Sequence, residues 1–427
     1  MKQKIPIGFI VSFLISVGVL VGCASSSFSD RWPTTHSTTT TYEKTNPLSS
    51  EREEQETGSQ PTAAVMPQRI ALLLPEKGPL QSQANAIRNG FFAAYFQWKK
   101  QGFSPTLRVW DTSRGDITTI YRQAVQEGAQ FIVGPLTKSD LLTLVHSGII
   151  NVPTLALNTL PSSEATTPHL YQFGLSPTDE IQQVAYRLRE NHHPRVILIA
   201  PNDEWGQTMA AAFEEQWKSL GGLLITQLNY SHRTDLNQAI RHLLNVDQSQ
   251  QRAQQLQHFL GNAKLRFIPY RRQDTDAIFL VANPTQAQEI LPLLKFYYAG
   301  NIPVYSISSI YSGSSRSPTN YDLNGVIFID MPWIIEPDAK LPAELADIRH
   351  RVQALWPHSF NHHPRLYALG VDAYRLIPWL NRTTGTASGY LSGASGQLYL
   401  NTHFQIDRRL LWAQIIQGKP QLLPNPK

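Results

Sequence analysis

From Arg69 onward, short apolar runs alternate with longer stretches whose apolar positions recur every three to four residues. Ile70-Ala71-Leu72-Leu73-Leu74 precedes such a stretch from Ala84 to Trp98, Leu107-Arg108-Val109-Trp110 precedes Ile117 to Gln126, and Phe131-Ile132-Val133 precedes Leu141 to Val145, before Thr154-Leu155-Ala156-Leu157. The short runs predict strands and the periodic stretches predict helices. Regular alternation of the two implies parallel pairing, and strands apolar on both faces need helices above and below.

A second series begins after Tyr171-Gln172-Phe173. Ser176-Pro177-Thr178-Asp179 places a capping residue, a proline at the first helical position and an acidic third residue in order, which predicts a helix to about Glu190. Val196-Ile197-Leu198-Ile199, a helix from Gly206 to Leu220, Leu223-Leu224-Ile225-Thr226, Ala277-Ile278-Phe279-Leu280-Val281, a helix opened by Asn283-Pro284, and Val304-Tyr305-Ser306-Ile307 complete it. The polar segment Gln248 to Lys264 reads as a helical insertion. So long a folded region exceeds one ordinary core, so two α/β lobes are expected. The first takes about 68–176 plus part of 325–427, and the second about 177–324 plus the remainder of that tail.

The chain's first part has another pattern. Lys2 and Lys4 precede an apolar run from Ile5 to Val21, interrupted by Pro6, Gly8 and Gly18, as in an export signal over residues 1–22. The run ends in Leu20-Val21-Gly22-Cys23, which resembles a bacterial lipobox, and Cys23 is the only cysteine of the chain. No intramolecular disulfide can form, and the one thiol stands where acylation would consume it. Ala24 follows, where an Asp would be the usual mark for retention away from the outer membrane. Residues 24–67 are rich in Ser, Thr, Pro and Glu, too polar to build a core. As a coil this tether spans about 35–40 Å, and stretched about 130 Å.

The formal charge is +5, falling to +3 without Lys2 and Lys4, and its cations are scattered, so nucleic acid is not an expected partner. Gly134-Pro135-Leu136-Thr137-Lys138-Ser139 lacks the glycine spacing of a phosphate loop and reads instead as a helix start, with Thr137 and Asp140 as a capping box. No GxSxG, HExxH or dinucleotide fingerprint occurs, and Gly393-Ala394-Ser395-Gly396 reads as a turn before a strand. Asn-His-His-Pro-Arg occurs at Asn191 to Arg195 and at Asn361 to Arg365, which reads as turn sequence rather than a zinc site. No catalytic set, metal or cofactor is expected. Ligands of open α/β sheets sit beyond the carboxyl ends of the strands, and there Thr137, Ser139, Asn158, Thr159, Asp203, Trp205 and Asn283 are the candidates to line a cleft.

Several segments resemble the LppC family of lipoproteins: Ile70 to Pro75 with Ala86 to Phe91, Phe131 to Leu136, Trp205-Gly206 through Gly221-Gly222, Asp274 to Leu280, Asp322-Leu323-Asn324-Gly325 leading to Asp330-Met331-Pro332-Trp333, and Tyr367 to Tyr374. They are spread over nearly all of Arg69 to Pro420. The resemblance implies a type I periplasmic-binding-protein-like fold, two Rossmann-like lobes with parallel sheets joined by a hinge. It also implies an outer-membrane lipoprotein that docks on a class A penicillin-binding protein and stimulates peptidoglycan synthesis. Enteric members carry a helical-repeat domain ahead of this fold, where this chain has the tether. The alternative is a lipid-anchored receptor for amino acids or another small ligand, of the branched-chain amino-acid-binding type.

Overall fold

The computed structural model describes residues 66–100, 102, 104–161, 167–261, 266–314, 318–381 and 389–424. The export signal, Cys23 and all but the last two residues of the tether lie outside the described residues.

Two sheets organise the fold. In the first, β1 (Arg69–Leu74) lies between β2 (Thr106–Asp111) and β3 (Phe131–Val133), and β4 (Thr154–Ala156) and β5 (Leu170–Gln172) extend it, all parallel. Helices α1 (Gln81–Lys99), α2 (Ile117–Gln126) and α3 (Lys138–Ser147) make the crossovers. After α4 (Pro177–Glu190), the second sheet repeats the order: β6 (Arg195–Pro201) lies between β7 (Leu223–Tyr230) and β8 (Ala277–Leu280), with β9 (Val304–Ser306) and β10 (Ile327–Asp330) beyond. Its helices are α5 (Glu204–Ser219), α6 (Leu236–Leu243), α7 (Val246–Leu260) and α8 (Pro284–Leu294). The central strands are buried along nearly their whole length, which is why their sequences are apolar without alternation.

The chain then returns to the first lobe through α9 (Pro332–Ile335), α10 (Ala343–Leu355), α11 (Pro357–His362) and α12 (Pro364–Leu380), with α10 and α12 packed on α1. β11 (Leu391–Ser392), β12 (Gln397–Leu400) and β13 (Ile406–Arg409) form a small antiparallel sheet, tied to the first lobe where Gln405 bridges Gln172. β14 (Leu411–Ile416) and β15 (Lys419–Leu422) finally join the second sheet beside β10. The chain therefore passes between the lobes three times: after β5, after β10 and between β13 and β14. These crossings are the hinge.

Two departures from the sequence-based expectation have local causes. The second sheet is not wholly parallel, because β14 and β15 run antiparallel. The two residues between them, Gln417 and Gly418, have φ of 51° and 72°, the mirror-image turn that suits a two-residue hairpin. At the head of α4, the Ser176 hydroxyl bonds Thr178 Oγ1 at 2.6 Å rather than a backbone N–H, so Pro177 rather than a side-chain cap fixes the helix start.

Close approaches explain some of the glycines. A Cβ on Gly90 of α1 would stand 2.2 Å from Tyr367 O, and one on Gly370 of α12 would stand 2.0 Å from Ile87 O. These helices touch backbone to backbone, which no larger residue permits. Gly134 has φ +109°, and a Cβ there would meet Leu73 O at 2.3 Å.

Candidate functional site

The sequence-derived candidates sit at the carboxyl ends of strands, in loops that start helices. In the first lobe Thr137 caps α3, its Oγ1 accepting from Asp140 N at 3.0 Å, which is the forward half of the expected box. Ser139 Oγ lies 3.0 Å from Thr137 Oγ1 and is exposed. Asn158 donates to Leu136 O at 2.9 Å and accepts from Thr159 N at 3.0 Å, so it fastens the loop after β4 to the loop after β3.

In the second lobe Asp203 accepts from Gly206 N at 2.7 Å and caps α5. Gly206 follows Trp205 for a steric reason: a Cβ at 206 would lie 2.1 Å from Pro201 O. Trp205 itself is 37% exposed, a large apolar ring left partly in solvent. Asn283 closes a complete capping box on α8, accepting from Gln286 N at 3.0 Å while its own N–H donates to Gln286 Oε1 at 2.9 Å. Three of the seven candidates thus spend their side-chain oxygens on helix N-termini. Among the described residues no hydrogen bond or ring contact joins the four candidates of the first lobe to the three of the second.

A separate pocket of about 410 Å³ lies at the carboxyl end of β2, lined by Glu76, Arg108, Trp110, Asp111, Asp116 and Thr119 among others. Its charges are engaged by neighbours within and beside the pocket. Arg108 pairs with Glu127 and lies 4.4 Å over the Trp110 ring, and Arg114 pairs with Asp111 at 2.8 Å. Burial works against ionisation of Asp111, but hydrogen bonds from Ser113, the Glu76 backbone and Arg114 outweigh it and hold the carboxyl well below the usual range.

The densest group of buried charge lies at the lobe crossings. Asp330, at the end of β10, is wholly buried and accepts from Met331 N at 2.8 Å and from the Arg365 guanidinium of α12. Arg365 also donates to Ser308 O and Tyr311 O, each at 2.9 Å. Glu180 of α4 accepts from Ser308 N at 2.9 Å and Ser308 Oγ at 3.0 Å, and Arg408 of β13 stands 3.8 Å from it. Burial pushes the Asp330 and Glu180 carboxyls above their usual range, against the pull of Arg365 and Arg408 respectively. Helices and strands of both lobes meet in this cluster, so its chemistry is that of a clamp.

The duplicated Asn-His-His-Pro-Arg acquires a partial physical account here. Both copies deliver their arginine to an aspartate: Arg195 to Asp276 at 2.7 Å, and Arg365 to Asp330. The backbones differ, since His192 has φ 58° before a strand while the second copy runs into α12. Among the described residues no group of three or more His, Asp or Glu side chains is placed to hold a metal ion. Ser395, in the loop of near-elbow sequence, is wholly buried and donates to Asp372 at 2.6 Å, and Asp372 also accepts from Ala394 N and Ser395 N. A hydroxyl so engaged and closed to solvent cannot attack a substrate.

Known proteins resemble this chain over most of its length. A penicillin-binding protein activator LpoA from Photobacterium profundum is 31% identical over 349 residues, 81% of this chain and 55% of the relative, and one from Vibrio antiquarius is 30% identical over 355 residues. The chain thus spans about half the length of the curated relatives it matches. The LpoA C-domain from Haemophilus influenzae, described as a regulator of PBP1A, superposes with a TM-score of 0.63 at 26% identity, covering 83% of this chain and all of that one. A protein from Chromobacterium violaceum described as a candidate branched-chain amino acid ABC transporter component gives 0.59 at 26% identity, covering 81% and 99%. The fold is that of the type I periplasmic binding proteins. The LppC lipoprotein profile matches residues 62–418, and the chain belongs to the LppC lipoprotein family.

Proposed function

We propose that this chain is an envelope lipoprotein, anchored through Cys23 at the periplasmic face of the outer membrane, that binds a class A penicillin-binding protein and stimulates peptidoglycan synthesis without itself catalysing a reaction. The observation that carries this is 31% identity over 81% of the chain to a penicillin-binding protein activator, joined to the fold of the LpoA C-domain. Residues 23–67 act as the tether and residues 68–427 as the docking body. The seven loop residues form at most a modulatory cleft.

The buried charge cluster supports a scaffold reading. A receptor that closes over a ligand rotates its lobes about the hinge, whereas here Asp330, Arg365, Glu180 and Arg408 span the crossings as buried ion partners. The capping duties of Thr137, Asp203 and Asn283 leave fewer free oxygens for a ligand. The direct test is capture of purified class A penicillin-binding proteins on the immobilised mature chain. Binding to at least one is expected, and binding to none would remove the reading.

A further inference from the structure

Helix α7 leaves the body of the second lobe. Of its residues only Val246 and Ser249 are buried, and from Gln251 to Leu260 most positions are exposed. Yet its outer end is apolar: Leu256 is 48% exposed, Phe259 86% and Leu260 46%. These three positions, i, i+3 and i+4, cover about 100° of the helix circumference at 3.6 residues per turn. The segment that returns to β8 adds Phe267, Ile268 and Tyr270, of which Ile268 is 68% exposed. Large apolar side chains left so far in water, and grouped on two consecutive segments, mark a contact surface.

The charge along these two segments is one-sided. Between Asp247 and Asp274 the described residues include Arg252, Arg266, Arg271 and Arg272 and no carboxylate. Arg271 turns inward to Tyr298 O and Asn301, and Arg272 pairs with Asp274. Arg252 and Arg266 are exposed and make no ion pair among the described residues. A surface of this kind fits an apolar groove with an acidic rim.

We infer that the tip built from Leu256, Phe259, Leu260, Phe267 and Ile268 is a docking surface that seats in an acidic-rimmed apolar groove of a protein partner. This rests on the reading of the chain as a synthase-binding activator, and the partner is then the synthase. A membrane surface fits less well. Helices that lie on lipid carry a cationic polar face, whereas α7 has six glutamines, Gln248, Gln250, Gln251, Gln254, Gln255 and Gln257, and a single arginine. Amides that both donate and accept suit the mixed rim of a protein groove, and aromatic and arginine side chains are the residues enriched in such interfaces.

The test uses the mature chain, Phe259→Ser/Ile268→Ser and Arg252→Glu/Arg266→Glu, with equilibrium binding to the host's class A penicillin-binding proteins read at about 50 and about 300 mM salt. Thermal unfolding confirms that each variant keeps the parent's midpoint, as exposed positions should. The apolar pair is expected to weaken binding at least about tenfold at both salts. The charge reversal should weaken it at least about tenfold at low salt, with the deficit shrinking at high salt as screening sets in. Parental affinity in both variants overturns the surface while leaving the activator reading intact. Failure of the parent chain to bind any synthase overturns the activator reading and the inference with it. Cosedimentation of the parent, but not of the variants, with phosphatidylglycerol vesicles assigns the tip to lipid and also overturns the inference.

Discussion

Arg365, in the first turn of α12, forks onto Asp330 at the end of β10, with Nε to Oδ1 at 3.0 Å and Nη2 to Oδ2 at 2.5 Å. The aspartate has no exposure and the arginine side chain has 22%. One partner belongs to the second sheet and the other to a helix packed on the first lobe. The pair therefore links the lobes where the chain crosses between them, and it accounts for an aspartate in the run Asp330-Met331-Pro332-Trp333 that would otherwise be a buried charge without compensation.

Removing the guanidinium alone leaves that carboxylate stranded. Arg365→Met should cost about 3–5 kcal/mol in unfolding free energy, the range for a buried ion pair broken on one side. Arg365→Met with Asp330→Leu should recover much of the loss, since an apolar pair of similar volume needs no desolvation. Urea unfolding of the two variants decides it, and a single variant within about 1 kcal/mol of the parent would argue against the clamp.

The contact of α1 with α12 depends on glycine at its centre. Gly370→Ala places a methyl group 2.0 Å from Ile87 O, so the helices must separate. A loss of about 2 kcal/mol or more is expected from the displaced packing. Chemical denaturation reads it, and an unchanged midpoint would mean that the helices do not approach as described.

Asp111 gives the fold a pH dependence of known sign. Its native carboxyl lies below the ordinary value of 3.8, because hydrogen bonds to Ser113, Glu76 and Arg114 outweigh burial. The ionised group thus stabilises the fold above the ordinary carboxylate range, and that contribution is lost as the pH falls through this range toward the depressed native value. Asp111→Asn should be less stable than the parent by about 1–2 kcal/mol near pH 7, with the gap starting to narrow only below about pH 4 and closing toward the depressed native value. Thermal unfolding across pH 3 to 7 measures the gap, and a gap independent of pH would contradict the assignment.

The lipid anchor is tested at Cys23. Cys23→Ser should remove palmitate labelling and shift the protein from the membrane to the soluble fraction, or leave it with an uncleaved signal. Labelling of the variant equal to that of the parent would show that another residue carries the lipid.

Much of the architecture is legible in the sequence because parallel strands buried on both faces are apolar without interruption. Ile70 to Leu74, Phe131 to Val133 and Val196 to Ile199 were all such runs, and each became a strand. The helix start marked by Asn283-Pro284 was equally plain, since caps act within four residues, whereas Asp203, read only as a cleft residue, caps α5 and starts it two residues before the expected Gly206. Of the small sheet only β12 was expected, from the turn at Gly393 to Gly396, because strands of two to four residues such as β11 and β13 leave no period to read. The β14 and β15 hairpin carried one usable signal, Gln417-Gly418 directly after the apolar run Leu410 to Ile416.

The candidate site was less legible. Asp330, Arg365, Glu180 and Arg408 are separated by up to 228 positions, from Glu180 to Arg408, and only the fold brings them together. Arg365 stood in view within a repeated five-residue motif, but the aspartate that explains it lies on another element. The tip of α7 was visible only as a polar insertion. That Phe259 would remain in water could not be read from its neighbours, which are those of many buried helices.

The most direct test of the central claim is an assay of glycosyltransferase and transpeptidase rates of the host's class A penicillin-binding proteins, with and without the mature chain. Stimulation of at least one of these synthases is expected. Unchanged rates for every one of them, with a correctly folded chain, would contradict it.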